Sequence, residues 1–369
     1  MMRIMLSTMA LLSLTALGCS GPERPPCDDT GEIPTVCGFR NPEDLEYVAA
    51  ANVVVVSNMR HDGPNPDGGY LSAVEPGVWA PITMWGGESA SASAAVPHLG
   101  DAECLAAPDP GAFYPHGLTS LQSDDRTLIY VASHAGSLGG REAIEIFELI
   151  DSGDQTQLIW LACIPSAGGV QLNDVAVSRD GLLVASNFVP DASMRHSIAA
   201  AIFKKPTGDL MTWTHADGWT HLKNTESLMA NGVAISNDGK TLFYTETIGG
   251  KLHRRSIDGP TAAIDIDIDG VPDNLSWTAQ GTLLLAAHSS GPGLMRCFLR
   301  AGTCRSGWSV YEVTPSTMAV EKILTHSGDS IGAVATALEI QGELLLSSVF
   351  DDRIGRASRN SPTSGPNAQ

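Results

Sequence analysis

From residue 44 to residue 349 the chain repeats one pattern: a polar opening, a strand of alternating apolar positions, a turn, and a more continuously apolar strand. The clearest copies run Asn173–Ser186 and Asn231–Tyr244, and the same outline returns at Asp273–Ala286 and His116–Tyr130. Looser copies lie at Asp44–Asn58 and Ala337–Val349. Period-2 alternation predicts a half-buried strand, and a short unbroken apolar run predicts a fully buried one. Asp180-Gly181 and Asp238-Gly239 mark hairpin turns between them, because Gly adopts the positive φ that tight turns need.

Six copies, with starts roughly 40–70 residues apart, leave room for a four-stranded blade each. The predicted fold is all-β: a six-bladed β-propeller, with every opening residue at the same end of a central channel. A β-sandwich could house such hairpins but would not call for six alike. Long apolar stretches of helical period are missing after the N-terminus, and 38 glycines in 369 residues fit many short strands and turns.

The opening positions carry the candidate chemistry. They read Glu43-Asp44, His116, Asn173-Asp174, Asn231 and Asp273-Asn274. In a radial arrangement these oxygen donors converge on the axis. Buried carboxylates that close repel one another unless protonated or bridged by a cation. A mixed carboxylate and amide set suits calcium, which takes six to eight oxygen ligands. Asp and Asn also begin turns for purely local reasons. That explains any one opening but not five of like chemistry.

Residues 1–19 read as an export signal: Arg3, an apolar run from Ile4 to Leu17, and a small-residue processing site ending at Cys19. The site resembles a bacterial lipoprotein box, with Cys19 as the lipidated residue. The expected location is therefore the bacterial cell envelope, lipid-anchored or periplasmic. Residues 20–36 form a Pro/Gly-rich tether, 37–357 the propeller, and 358–369 a disordered tail. The six remaining cysteines are an even number in an exported chain and suggest disulfides. Cys27 with Cys37 and Cys297 with Cys304 are the local pairs, leaving Cys104 with Cys163. The formal net charge of −19 argues against nucleic acid or anionic lipid as a partner, so membrane contact would come only through the anchor.

The motifs Asn41-Pro42-Glu43-Asp44-Leu45-Glu46, Tyr114-Pro115-His116-Gly117-Leu118, Leu172-Asn173-Asp174-Val175-Ala176-Val177, Ala230-Asn231-Gly232 and Asp273-Asn274 together resemble the paraoxonase/arylesterase family. The resemblance implies a six-bladed propeller with two calcium ions and broad lactonase and arylesterase activity. Carried over motif by motif, it implies that Glu43, Asn173, Asn231, Asp273 and Asn274 hold a catalytic calcium. Asp44, Asp174 and the backbone oxygen of Leu118 would hold a structural one. His116 and His134 match the family's histidine pair. Three features depart from that pattern: no Cys follows Cys304, the segment after Asn187 lacks a His-Tyr pair, and a lipoprotein-like signal stands where the family has a membrane-associated helix.

The expected activity is calcium-dependent hydrolysis of a small lactone or aryl ester. The metal polarises the carbonyl, and His116, oriented by His134, accepts a proton from the attacking water. His288, at the end of a comparable strand, is expected to line the substrate pocket. Two other readings stand beside this one: a non-catalytic binding propeller with structural calcium, and a sugar-acid lactonase of gluconolactonase type. Asp265-Ile-Asp267-Ile-Asp269-Gly270 imitates the start of an EF-hand loop, but Ser276 occupies the twelfth position and the alternation reads as a strand. The Ala/Ser run Ser89–Ala95 is expected to be a surface loop.

Overall fold

The computed structural model describes residues 27, 32–59, 68–93, 95–96, 98–123, 126–136, 139–153, 156–188, 203–257, 263–299 and 304–359. The signal-like segment with Cys19, most of the tether, and the tail from 360 onward lie outside these.

Among the described residues, twenty-five strands are arranged as six sheets, antiparallel apart from one short parallel pairing at the edge of the second. Strand β1 (Thr35–Cys37) precedes blade 1, which comprises β2 (Pro42–Val48), β3 (Val53–Asn58), β4 (Tyr70–Val74) and β5 (Ile82–Trp85). Blade 2 gathers β6 (Ser91–Ala92), β7 (Pro115–Ser123), β8 (Arg126–His134), β9 (Glu142–Asp151) and β10 (Thr156–Pro165). Blade 3 holds β11 (Leu172–Val177), β12 (Leu183–Asn187), β13 (Asp209–Thr214) and β14 (Gly218–His221). Blade 4 holds β15 (Ala230–Ile235), β16 (Thr241–Glu246), β17 (Lys251–Ser256) and β18 (Ile264–Asp267). Blade 5 holds β19 (Val271–Trp277), β20 (Leu283–His288), β21 (Trp308–Thr314) and β22 (Ala319–His326), with a helix α1 (Gly291–Leu299) between its second and third strands. Blade 6 is built from β23 (Ala337–Ile340), β24 (Glu343–Leu346) and β25 (Arg353–Ser358), completed on the outside by β1.

The first strands β2, β7, β11, β15, β19 and β23 touch one another in a closed ring. Each sequence repeat is thus the inner hairpin of one blade. The predicted turns hold, with Gly181 at φ 87 and Gly239 at φ 71. The ring is shut by pairing of the two chain ends, Thr35 opposite Gly355.

Packing explains why the second strand of each repeat is apolar without a break. A blade is covered on both faces, so both side-chain sets of its middle strands are buried. Val53 and Val55 of β3 join the cluster shared with blade 2, whereas Val54 and Val56 join the one shared with blade 6. Leu284 and Ala286 likewise face blade 6, and Leu283, Leu285 and Ala287 face blade 4. Every interface between adjacent blades has its own apolar cluster. At the first interface Trp85 packs edge-on to Phe113 at 4.9 Å and to Phe147 at 5.2 Å.

Three local features depart from the sequence reading. The Ala/Ser run is not simply a loop: Ser91 and Ala92 form β6, which pairs in parallel with Ile159 and Trp160 of β10. It is held there by Trp85 Nε1, which donates to the Ser91 carbonyl at 2.9 Å, and the following segment is tied to β10 by the Cys104–Cys163 disulfide. Helix α1 was not anticipated, because Gly-Pro-Gly at its start reads as a breaker. Strand pairing begins at Thr35, inside the segment read as tether. The Cys27–Cys37 and Cys297–Cys304 bonds form as expected. The EF-hand imitation is edge strand β18, where Asp265 pairs with His253 and Arg255, Asp267 with Lys251, and nearby Asp269 with Lys322.

Candidate functional site

A β-bulge sits at five of the six openings. On β2, Pro42 opposes Asn58 and Leu45 opposes Val56, so the inner strand spends three steps where its partner spends two. The same slip occurs between Pro115 and Leu118, Leu172 and Val175, Ala230 and Val233, and Pro272 and Leu275. The displaced dipeptides are Glu43-Asp44, His116-Gly117, Asn173-Asp174, Asn231-Gly232 and Asp273-Asn274. A bulge re-aims side chains out of the pleat. Here it releases the repeat's polar opening from the ladder and lets it turn inward.

The second residue of each dipeptide sets how closely blades approach. A Cβ on Gly117 would lie 2.1 Å from Asp174 Oδ1, and one on Gly232 would lie 2.6 Å from the Asn274 Cα. At these two interfaces an acid or amide in one blade therefore requires glycine in the blade before it. Asp174 uses the space to accept the Val233 N–H at 2.7 Å through Oδ2, having taken Val175 N–H at 2.7 Å through Oδ1. Asp44 does the same across the first interface, accepting Leu118 N–H at 2.8 Å. Leu118 thus meets Asp44 through its N–H. Thr336 of blade 6 donates to Asp44 Oδ1 at 2.7 Å, which closes the circuit.

The openings are also linked to one another through amide groups. Asn274 Nδ2 donates to Glu43 Oε1 at 2.9 Å, and Asn231 Nδ2 donates to Asp273 Oδ1 at 2.7 Å. Asn173 Nδ2 points at His116 Nδ1, 3.4 Å away. All of these acid and amide side chains are buried. What remains is a set of oxygens with no hydrogen-bond partner: Glu43 Oε2 and the Oδ1 atoms of Asn173, Asn231 and Asn274. A buried polar atom left in that state costs about 1–3 kcal/mol. The four come from blades 1, 3, 4 and 5.

The electrostatics agree. Burial holds the Glu43 carboxyl well above the ordinary range, and the charges of Asp44, Asp273 and Asp174 push it further. Burial, with the Asp44 charge behind it, also raises Asp174 well above its usual value. Asp44 is pushed up to about 6 by burial, against hydrogen bonds that pull it down. Glu46, half-buried beside Ser120, rises to about 7 with desolvation again the first cause. Carboxyl and amide oxygens without partners in a negative, water-poor site are donors that a hard divalent cation takes. Among the described residues no cluster of three or more His, Cys, Asp and Glu has a metal-holding arrangement; the oxygens gathered here are mostly amides.

The histidines flank this site. The His116 and His134 rings lie edge-on with centroids 5.2 Å apart, and Tyr114 packs 5.1 Å from His116. His134 Nδ1 is 2.8 Å from Glu142 Oε1, a partner that sequence reasoning missed. The only signal was an acid opening the strand that follows the Gly-rich turn after His134. His288 is 2% exposed, with Nε2 held 2.8 Å from Asp273 Oδ2, so it is a buried partner of the acid.

Residues 97–319 match the family described as the SMP-30/Gluconolactonase/LRE-like region. Serum paraoxonase/arylesterase 1 of Rattus norvegicus is 24% identical over 259 residues, covering 66% of this chain and 68% of that protein. Strictosidine synthase-like 13 of Arabidopsis thaliana is 28% identical over 195 residues, 51% of this chain and 45% of its own length. Among solved structures, a luciferin-regenerating enzyme superposes with TM-score 0.50 at 12% identity, covering 89% of this chain and 94% of that one. A gluconolactonase from Xanthomonas campestris superposes with TM-score 0.50 at 13% identity, covering 88% of each chain. These superpositions share the propeller fold. With more than half of its length inside the family match, the chain belongs to the SMP-30/gluconolactonase/LRE-like family.

Proposed function

We propose that this protein is a divalent-metal-dependent lactone hydrolase of the propeller type that also accepts aryl esters. The observation that carries the reading is the set of four unpartnered buried oxygens beside a histidine pair. Glu43, Asn173, Asn231, Asp273 and Asn274 would hold the ion, and the all-oxygen donor set favours calcium. When bound, such an ion supplies Lewis-acid polarisation of a substrate carbonyl. The protein's own groups do the rest. Asn173 Nδ2 faces His116 Nδ1 as a donor at 3.4 Å, which makes that nitrogen the acceptor and puts the proton of the neutral ring on Nε2. An attacking water that displaces this long Asn173 contact would yield its proton to His116 Nδ1, with His134 placed beside the ring to share the charge. Asp273 is held in place between Asn231 Nδ2 and His288 Nε2.

Asp44, Asp174 and Leu118 would serve a second, deeper calcium. Both carboxylates already accept backbone N–H groups. A sugar-acid lactonase is the second reading, favoured by the family match. Export to the cell envelope with lipid on Cys19 is part of the proposal and is checked by the mass of the mature N-terminus.

The test is hydrolysis of phenyl acetate, an aliphatic δ-lactone and a sugar-acid lactone, before and after chelation. Activity lost with EDTA and restored by calcium is expected. Turnover confined to the sugar acid would replace the first reading by the second. No turnover on any substrate by calcium-loaded protein would mark a binding propeller instead.

A further inference from the structure

We propose that Glu142 is the positioning residue of the histidine pair, fixing the tautomer of His134 and tying that ring to the strand that presents Asn173. The inference rests on the hydrolase reading above.

His134 ends β8 and Glu142 begins β9, and the two are direct cross-strand partners. Oε1 of Glu142 lies 2.8 Å from His134 Nδ1 and accepts the Leu172 N–H at 2.6 Å. Oε2 accepts the Gly136 N–H at 3.2 Å, in the turn between the two strands. A carboxylate oxygen can only accept, so His134 Nδ1 must carry the proton and Nε2 the lone pair of the neutral ring. The His134 side chain is 19% exposed and that of Glu142 12%, so water competes poorly for the contact.

The Leu172 bond reaches across to the next blade. Leu172 immediately precedes Asn173, whose amide donates to His116 Nδ1. A closed circuit results: Glu142 to His134, His134 packed on His116, His116 to Asn173, and Leu172 back to Glu142. One carboxylate therefore sets the orientation of the outer imidazole and its offset from the strand that carries an oxygen of the metal site. Outer partners of this kind commonly change activity by roughly 10–100-fold when removed. With the Nδ1 proton pinned, the Nε2 lone pair of His134 is available to the Nε2–H of His116 as that ring takes up charge. Without Glu142 the ring is free to exchange tautomers and to turn.

The test compares Glu142→Gln and Glu142→Ala in the full-length calcium-loaded protein. Gln retains an acceptor oxygen for His134 and Leu172 but removes the charge; Ala removes both. Expected for the Ala variant is a fall in kcat of roughly 100-fold, and for Gln roughly 10-fold, with KM on phenyl acetate and calcium affinity held. In 15N-histidine spectra, wild type and the Gln variant should show His134 as the Nδ1–H tautomer, and the Ala variant should lose it. A Glu142→Ala protein with wild-type kcat overturns the proposal. So does an equal loss in both variants accompanied by weaker calcium binding, because that pattern marks general damage to the fold. A wild-type protein inactive on every ester would defeat the hydrolase reading itself, and the His134 tautomer would still report whether Glu142 fixes the ring.

Discussion

Blades 1 to 5 enter the channel on a bulge that carries an acid, an amide or an imidazole, whereas blade 6 enters on Ala335-Thr336 and pairs Ala337 with Leu346 in regular register. The two arrangements do complementary work. The bulged openings bring oxygens that exceed the hydrogen bonds on offer. Thr336 instead accepts Asn274 Nδ2 at 3.0 Å and donates to Asp44 Oδ1 at 2.7 Å. It also lies 3.1 Å from the Glu43 carbonyl. Blade 6 thus satisfies the groups that blades 1 and 5 bring to it. Five blades supply a site, and the sixth, which also ties the chain ends together, supplies its support.

The sharpest way to break this comparison is at the spacing glycines. Gly117→Ala places a methyl against Asp174, including its Cα at 2.7 Å. It should destabilise the protein by about 3 kcal/mol, read by urea unfolding, while Gly168→Ala, which meets nothing within 4 Å, should change stability by less than about 0.5 kcal/mol. Equal effects would mean that the blades do not interlock as described. A smaller loss is expected from Thr336→Val, which keeps the shape but strips partners from Asn274 and Asp44: about 1–3 kcal/mol in the same assay. An unchanged midpoint would deny blade 6 its supporting part. The smallest effect belongs to the rim. Asp267→Ala removes an exposed ion pair with Lys251 on the outer strand of blade 4 and should shift stability by under about 0.5 kcal/mol.

The contrast between channel and rim also decides what could be read from the sequence. The inner hairpins were legible because they obey two local rules at once: alternation on the ring strand and an unbroken apolar run on its doubly covered partner. Their openings were legible as chemistry because the same residue types recur at one place in every unit. The spacing role of Gly117 was not, since it depends on Asp174, a residue of another blade. Glu142 was hidden for a similar reason: its partners His134 and Leu172 come together only once the β8–β9 hairpin is folded and blade 3 is docked on it. Strand β6 was missed because tertiary support, including the Trp85 bond to Ser91, overrides weak local propensity. Glu43 and Thr336 lie outside residues 97–319, so the family match alone would not have found the two ends of the Asn274 contact.

Calcium-dependent unfolding tests the central claim most directly. Metal-stripped wild type and Glu43→Gln are unfolded with increasing calcium. If the unpartnered oxygens of Glu43, Asn173, Asn231 and Asn274 bind one ion in the native state, wild type should gain about 2.7 kcal/mol when calcium reaches 100 times its dissociation constant. Glu43→Gln should need far more calcium for the same gain. Wild-type unfolding that ignores calcium at every concentration would contradict the account.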